Sequence, residues 1–415
     1  MSAGPPREIA VYRPFALLAF AATVLVGTPL GVRMLAWLYL GASAVTVDTV
    51  LLHAHLQTVG FFGTLIPGVA HHLVARFTGR PTRPTRATPW MAALLGTAGV
   101  LRIACTWSAP AGLLVAALLE TAAFTVFGAW ILRSLAPPPL TTVRRHLAAA
   151  TAWLGVACLA EAALRGSALA GGVPTPDLGG MRAAHAMAIY GGAIGWVLGV
   201  LLRAGPMFVE GWRVPGLLAT TLPGLLAAAV MVTAAGEIAA VPAIARAGEA
   251  LALGAVVAVA LAAGALRPAP RALPMLSRSA PEARIFRLGV VSAAFALCGA
   301  VGAAALAAAG AGVHVLTDAV RHLVTVGFLT SVVVAMAFRL IPTLEATSLP
   351  WPGLRVVAFW SLLGATVLRT TQVAVAHGWP VLAPIVPVSG LLAWVALAGV
   401  GATLLGTLHR VASRR

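Results

Sequence analysis

Long apolar segments recur along the whole chain, and they constrain its fold more than any other feature. Each is about 20 residues long and nearly free of charge, which is the length that a helix needs to cross the hydrocarbon core of a bilayer. We count twelve such segments, at residues 13–32, 47–76, 89–106, 109–133, 143–165, 180–204, 214–236, 246–266, 285–309, 314–341, 353–374 and 380–408. Only helices and closed barrels satisfy all their backbone polar groups in lipid. We therefore predict that residues 1–415 form a single all-α polytopic membrane domain.

The connections between these segments are short and rich in Arg, Pro and Gly. The 28 basic residues are all Arg, and most of them lie in every second connection, beginning with the one after the second segment. Because basic residues are retained on the cytoplasmic side, this alternation predicts an even number of helices with both termini cytoplasmic. The formal net charge of +17 thus reflects membrane topology, and its distribution argues against nucleic-acid binding.

Similar strings of residues occur in every fourth predicted helix. The second, sixth and tenth helices each carry a His near their start and a Gly five or six residues further on. The pairs are His55 with Gly60, His185 with Gly191 and His322 with Gly327. A repeat of this kind predicts three pseudo-repeated four-helix units in tandem. The three helices run in the same direction, so their His residues are expected at one depth, in the outer third of the membrane.

His55 and His322 are the candidate axial ligands of a haem. A flat macrocycle held between two parallel helices needs one imidazole from each, at equal height. His53 is the alternative to His55, because residues two apart lie about 200° apart around a helix and cannot both face one metal. Either one of them is a ligand and the other a bystander, or they serve two sites. His185, with His53 as a further candidate, is expected to form a second metal or gas-contact site.

Two Arg residues are candidate partners for the haem propionates. The third and eleventh predicted helices both end with the tripeptide Val-Leu-Arg, which places Arg102 and Arg369 near the outer surface, at the height of the His layer. The forked guanidinium group suits carboxylates. The alternative is that both side chains extend to the outer interface without binding a cofactor.

Four other polar groups lie within the predicted spans. His71 and His72 are about a full span away from the outer histidines, and we expect them at the cytoplasmic headgroup boundary. Glu120 is in the middle of its helix, and protonation, pairing and proton handling are all open for it. Glu161 precedes Arg165 by one helical turn, which favours an i,i+4 ion pair.

The histidine-bearing segments resemble those of a known family. "HAHLQTVGFFGTLIPGV" at 53–69 and "RHLVTVGFLTSVVVAMAFR" at 321–339 are similar to motifs of the NnrS family. These are bacterial inner-membrane proteins of the nitric oxide response that contain haem and copper. The resemblance implies a b-type haem, with copper as an additional candidate.

The predicted layout also resembles, more distantly, subunit I of haem–copper oxidases and nitric oxide reductases. That subunit has twelve helices in three groups of four, with a bis-His haem between its second and tenth helices. Enzymes of this type use a His pair on their seventh helix to hold a second metal. The seventh segment here, residues 214–236, contains no His. The resemblance therefore argues against an enzyme that has the second metal site of the oxidases.

Three functions are consistent with these observations. The first is a haem-binding protein of the bacterial cytoplasmic membrane, with copper as an additional candidate, that takes part in the response to nitric oxide. Its partners would be the lipid bilayer, haem, and nitric oxide or an electron-donor protein. The second is a divergent haem–copper oxidase or nitric oxide reductase subunit. The third is a secondary transporter, although the repeat is threefold and parallel, whereas transporter repeats are usually twofold.

Overall fold

Helices account for all the regular secondary structure in the part of the chain that the structure describes. The computed structural model describes residues 10–79, 84–135, 141–173, 175–208, 213–263, 296–307 and 313–413. Eleven of its helices are long and apolar enough to span a membrane, and a shorter apolar helix lies between the eighth and ninth of them. The prediction of an all-α, multi-pass membrane protein is confirmed.

We number the twelve helices in chain order. They are α1 (Tyr12–Leu40), α2 (Val47–Thr78), α3 (Ala87–Cys105), α4 (Pro110–Ser134), α5 (Thr141–Ala170), α6 (Leu178–Gly205), α7 (Gly216–Ile238), α8 (Pro242–Ala262), α9 (Ala296–Ala307), α10 (Val315–Glu345), α11 (Pro352–Ala376) and α12 (Pro380–Ala412). Each corresponds to one predicted segment. The ninth segment, 285–309, lies partly outside the described residues.

Every fourth helix, beginning with α2, belongs to an inner layer. In the most apolar windows of α2, α6 and α10, 78%, 72% and 61% of the residues are buried within the protein. In the other long helices the share is between 28% and 50%. The helices α2, α6 and α10 therefore form the centre, and the remaining helices surround them and face the lipid.

The three inner helices share a local irregularity at the same place. Each widens into an eight-residue π-helical segment one or two residues after its repeated His. The segments are Leu56–Gly63, Met187–Ile194 and Leu323–Thr330. Threonine hydroxyls bond to carbonyl groups five residues earlier in two of them, from Thr64 to Val59 at 3.3 Å and from Thr330 to Thr325 at 2.7 Å. π-helical turns are rare and are frequent at functional sites.

The glycines of the repeat bring neighbouring helices close to α6 and α10. A Cβ atom on Gly191 would lie 2.4 Å from the Trp153 ring of α5, and one on Gly327 would lie 2.5 Å from Ala296 of α9. At neither position is there room for a larger side chain. These two glycines serve helix packing.

The arrangement divides the bundle into three compartments. The first lies between α2 and α6 and is bordered by α3, α4 and α5. The second lies between α6 and α10 and is bordered by α7, α8 and α9. The third lies between α10 and α2 and is bordered by α11, α12 and α1. Each compartment holds a cluster of polar side chains, and these clusters contain the candidate site residues.

Candidate functional site

A cavity in the third compartment separates the first turns of α2 and α10. It has a volume of about 200 Å³, and both His53 and His322 line it. Most of its wall is apolar, while Asp318, Arg321 and Arg369 add charged groups beside His322. A mostly apolar cavity with a few convergent polar groups is the usual form of a ligand or cofactor site.

The imidazole of His53 is held by the backbone of α1. Its Nδ1 lies 2.8 Å from the carbonyl oxygen of Gly27, and since a carbonyl only accepts, Nδ1 carries the proton. The ring fits against Gly31, where a Cβ atom would lie only 2.6 Å from Cε1 of His53. No hydrogen bond to Nε2 occurs among the described residues, so this nitrogen keeps its lone pair for a ligand.

The imidazole of His322 is held in the same way by its own helix. Its Nδ1 lies 2.8 Å from the carbonyl oxygen of Asp318, so Nδ1 again carries the proton. The Asp318 carboxylate lies 3.3 Å from Nδ1 and receives a hydrogen bond of 2.6 Å from Arg369. Within the described ranges, Nε2 of His322 also has no hydrogen-bonding partner. A donated Nδ1–H that fixes the tautomer and leaves Nε2 free is the usual arrangement of a metal-binding histidine.

Two arginines provide positive charge at this cavity. Arg369 is bonded to Asp318, and Arg321 has its closest acidic partner, Glu237, at 3.8 Å. The Arg321 side chain is 39% exposed, which leaves it available to a further anion. The expected carboxylate-binding role of Arg369 is compatible with its position, and Arg321 is a second candidate that the sequence analysis did not single out.

His55 lies on the opposite side of α2, in the first compartment. Its Nε2 is 2.9 Å from Glu120, its Nδ1 is 3.2 Å from Glu161, and the ring is buried. It does not line the cavity of His322, so the structure does not bring together the expected pair of His55 and His322. The reason is the helical period, because His53 and His55 are two residues apart and their side chains therefore lie on opposite sides of α2. Of the alternatives left open, the geometry favours two separate sites for His53 and His55.

Arg102 is also part of the first compartment and does not reach the third. It donates to Glu120 at 2.9 and 2.5 Å and to Glu161 at 2.6 and 3.1 Å, and only 1% of it is exposed. The expected position at the outer interface, free to bind a propionate, is therefore corrected, because two buried carboxylates already hold this guanidinium. The predicted pair of Glu161 and Arg165 is confirmed at 2.8 Å.

A second arginine lies between two glutamates in the second compartment. Arg246 of α8 donates to Glu249 at 2.6 Å and also to Glu237 of α7, and all three are buried. Arg182 of α6 bonds to the other oxygen of Glu237 at 2.6 Å. The sequence analysis missed this cluster, although an Arg and a Glu three residues apart within an apolar helix are a usable signal for one.

His185 is next to His55 and not next to His53. The ring centroids of His55 and His185 are 6.4 Å apart, and Nε2 of His185 is buried and has no partner among the described residues. One ligand atom from each of His55, Glu120 and Glu161 lies within 4.8 Å of the others, a spacing that could hold a metal ion. Because Arg102 already bonds to both carboxylates and Arg165 bonds to Glu161, this set does not fit a copper ion without displacement of the guanidinium of Arg102.

His71 and His72 are buried among protein side chains. His71 stacks on Trp130 with 4.2 Å between ring centroids, and its Nδ1 and Nε2 lie 2.7 Å from the Pro67 carbonyl and 3.1 Å from the Thr88 hydroxyl. Only 2% of His72 is exposed. Neighbouring helices thus cover this end of α2, and the expected depth of the two residues at the cytoplasmic headgroup boundary stays a prediction.

The fold is similar to that of a haem–copper terminal oxidase whose dimer was solved by cryo-EM. The match has a TM-score of 0.68 and 12% sequence identity, and it covers 96% of this chain and 84% of that chain. The predicted oxidase-type architecture is thus confirmed for the fold. Comparison with protein families and with curated proteins finds no match, so the resemblance to NnrS proteins stays a prediction.

Proposed function

We propose that the chain is a haem-binding membrane protein, with His53 and His322 as the two axial ligands. The observation that carries the proposal is that both imidazoles line one cavity, each with Nδ1 bonded to a backbone carbonyl and Nε2 left for a metal. Arg369 and Arg321 are the proposed partners of the haem carboxylates. Cys105, Cys158 and Cys298 form no C-x-x-C-H motif, which favours a b-type haem without covalent attachment.

The chemistry of the residues in the cavity wall fits a haem. An engineered cavity of about 150 Å³ holds benzene. A macrocycle therefore requires the cavity of about 200 Å³ to widen, which the flexible side chains of Met34 and Leu38 in its wall allow. The Asp318 carboxylate lies 3.3 Å from Nδ1 of His322, the ring nitrogen that would not bind the iron. A carboxylate is commonly found at this position beside a metal-bound histidine.

A haem with two protein ligands supplies reversible one-electron exchange. Since neither axial position is open, we propose a role in electron transfer or redox sensing in the bacterial cytoplasmic membrane. The association with the nitric oxide response rests on the resemblance of residues 53–69 and 321–339 to NnrS proteins. An electron-donor protein is the partner that such a role requires.

A divergent oxidase or nitric oxide reductase is the second candidate, because the fold is that of an oxidase subunit. Against it, α7 has no His, and the second compartment contains the buried cluster of Arg246, Glu237 and Glu249. The metal set of His55, Glu120 and Glu161 is likewise held by Arg102. We therefore propose haem without copper.

The test is a reduced-minus-oxidised visible spectrum of the detergent-purified protein, with iron and copper measured on the same sample. We expect a low-spin haem signal, about one iron per chain, no copper, and no turnover with nitric oxide or oxygen. A colourless protein from haem-replete cells would refute the proposal and favour a transporter. Turnover together with bound copper would favour the enzyme.

A further inference from the structure

A second cavity lies at the centre of the bundle, among the three inner helices. It has a volume of about 120 Å³, and its wall includes Phe62 of α2, Val197 of α6 and Ala337 of α10. Residues of α1 and α12 complete it, and no lining residue is exposed. This central cavity therefore adjoins the third compartment, whose bordering helices α1 and α12 it shares.

The wall of the central cavity is apolar throughout. No polar atom contributes surface to it. A buried water needs two to four polar partners, so a cavity of this kind stays dry. For the same reason it offers nothing to an ion, to a hydrogen-bonding head group or to a haem carboxylate.

The volume of the central cavity is that of a site for a small molecule. An engineered apolar cavity of about 150 Å³ binds benzene or xenon, and the central cavity is slightly smaller. A macrocycle is too large for a volume of about 120 Å³.

One side chain lines both the central cavity and the cavity of His53 and His322. Phe62 lines both, and 4% of it is exposed. It follows His53 by nine residues and lies in the π-helical segment of α2, beside Phe61 at 4.9 Å between ring centroids. Phe62 is thus the residue through which a connection between the two cavities can be tested.

We propose that the central cavity is a binding site for small uncharged apolar molecules, dissolved gases by chemical class, beside the cavity of His53 and His322. The inference rests on the dry wall, the volume and the shared Phe62. It requires no bound haem, so it can be tested on protein with or without the cofactor.

The experiment is diffraction from xenon-pressurised crystals of the full chain. We expect an anomalous xenon peak among α2, α6 and α10. Two variants, Ala337→Leu and Val197→Phe, fill the cavity from different helices, and both should abolish the peak. Ala122→Leu is the matched control, because Ala122 is exposed on α4 and should leave the peak unchanged.

A Phe62→Ala variant tests the connection, and we expect its xenon density to extend toward His53. Absence of xenon from the wild-type cavity, or ordered water within it, would overturn the proposal. A detergent or lipid chain in place of xenon would also overturn it, since the occupant would then be a chain and not a small molecule.

Discussion

Arg102 and Arg369 end the same tripeptide on equivalent helices, yet their replacement should have very different effects on stability. Arg102 is 1% exposed and bonds to Glu120 and Glu161, which are 3% and 4% exposed. In an Arg102→Met variant Glu161 keeps Arg165, but Glu120 becomes a buried charge whose remaining contact is His55 at 2.9 Å. Removal of one partner of a buried ion pair costs about 3–5 kcal/mol.

Arg369→Met is the matched control. Its partner Asp318 has a side chain that is 45% exposed, whereas the side chains of Glu120 and Glu161 are 4% and 5% exposed. We therefore expect Arg369→Met to lower the free energy of unfolding by less than Arg102→Met does. The free energies of unfolding can be compared by titration with sodium dodecyl sulfate, followed by circular dichroism of the purified proteins.

A double variant makes the test independent of poor folding. Arg102→Met combined with Glu120→Gln removes both charges and keeps the pair of Glu161 and Arg165, so it should be more stable than Arg102→Met alone. If Arg102→Met costs no more than Arg369→Met, or if the second substitution recovers nothing, the reasoning about the buried cluster is refuted.

Two glycine substitutions test the close contacts of the inner helices. Gly31→Ala should displace the His53 ring and lower the haem content per chain, because its Cβ would lie 2.6 Å from Cε1; haem measured by extraction checks this. Gly191→Ala should lower the free energy of unfolding by about 1–3 kcal/mol through overpacking against Trp153. Gly99→Ala, at a position with open space, is the control for both, and an equal effect there would contradict the packing argument.

The overall fold could be predicted because hydropathy alone determines where the spans lie. The repeat of His and Gly in α2, α6 and α10 marked these helices as equivalent, whereas their place in an inner layer came from the structure. The sequence contains no comparable signal for the π-helical segments. Gly60, Gly191 and Gly327 lie within these segments, but a glycine does not by itself require a π-helical turn.

The site was less predictable because it depends on which face each helix presents. His53 and His55 are two residues apart on α2. Which of them lines the same cavity as His322 depends on how the neighbouring helices pack around α2. Arg102 and Arg369 have the same local sequence, and they differ because Glu120 and Glu161 approach the first of them from α4 and α5. Contacts between residues so far apart in the chain are not visible in local patterns.

The most direct test of the proposed site is the electron paramagnetic resonance spectrum of the oxidised protein and of three single variants. The account predicts a low-spin bis-imidazole haem signal in the wild type. The signal should be absent in His53→Ala and in His322→Ala, and retained in His55→Ala. A signal that is lost in His55→Ala and retained in His53→Ala would contradict the account.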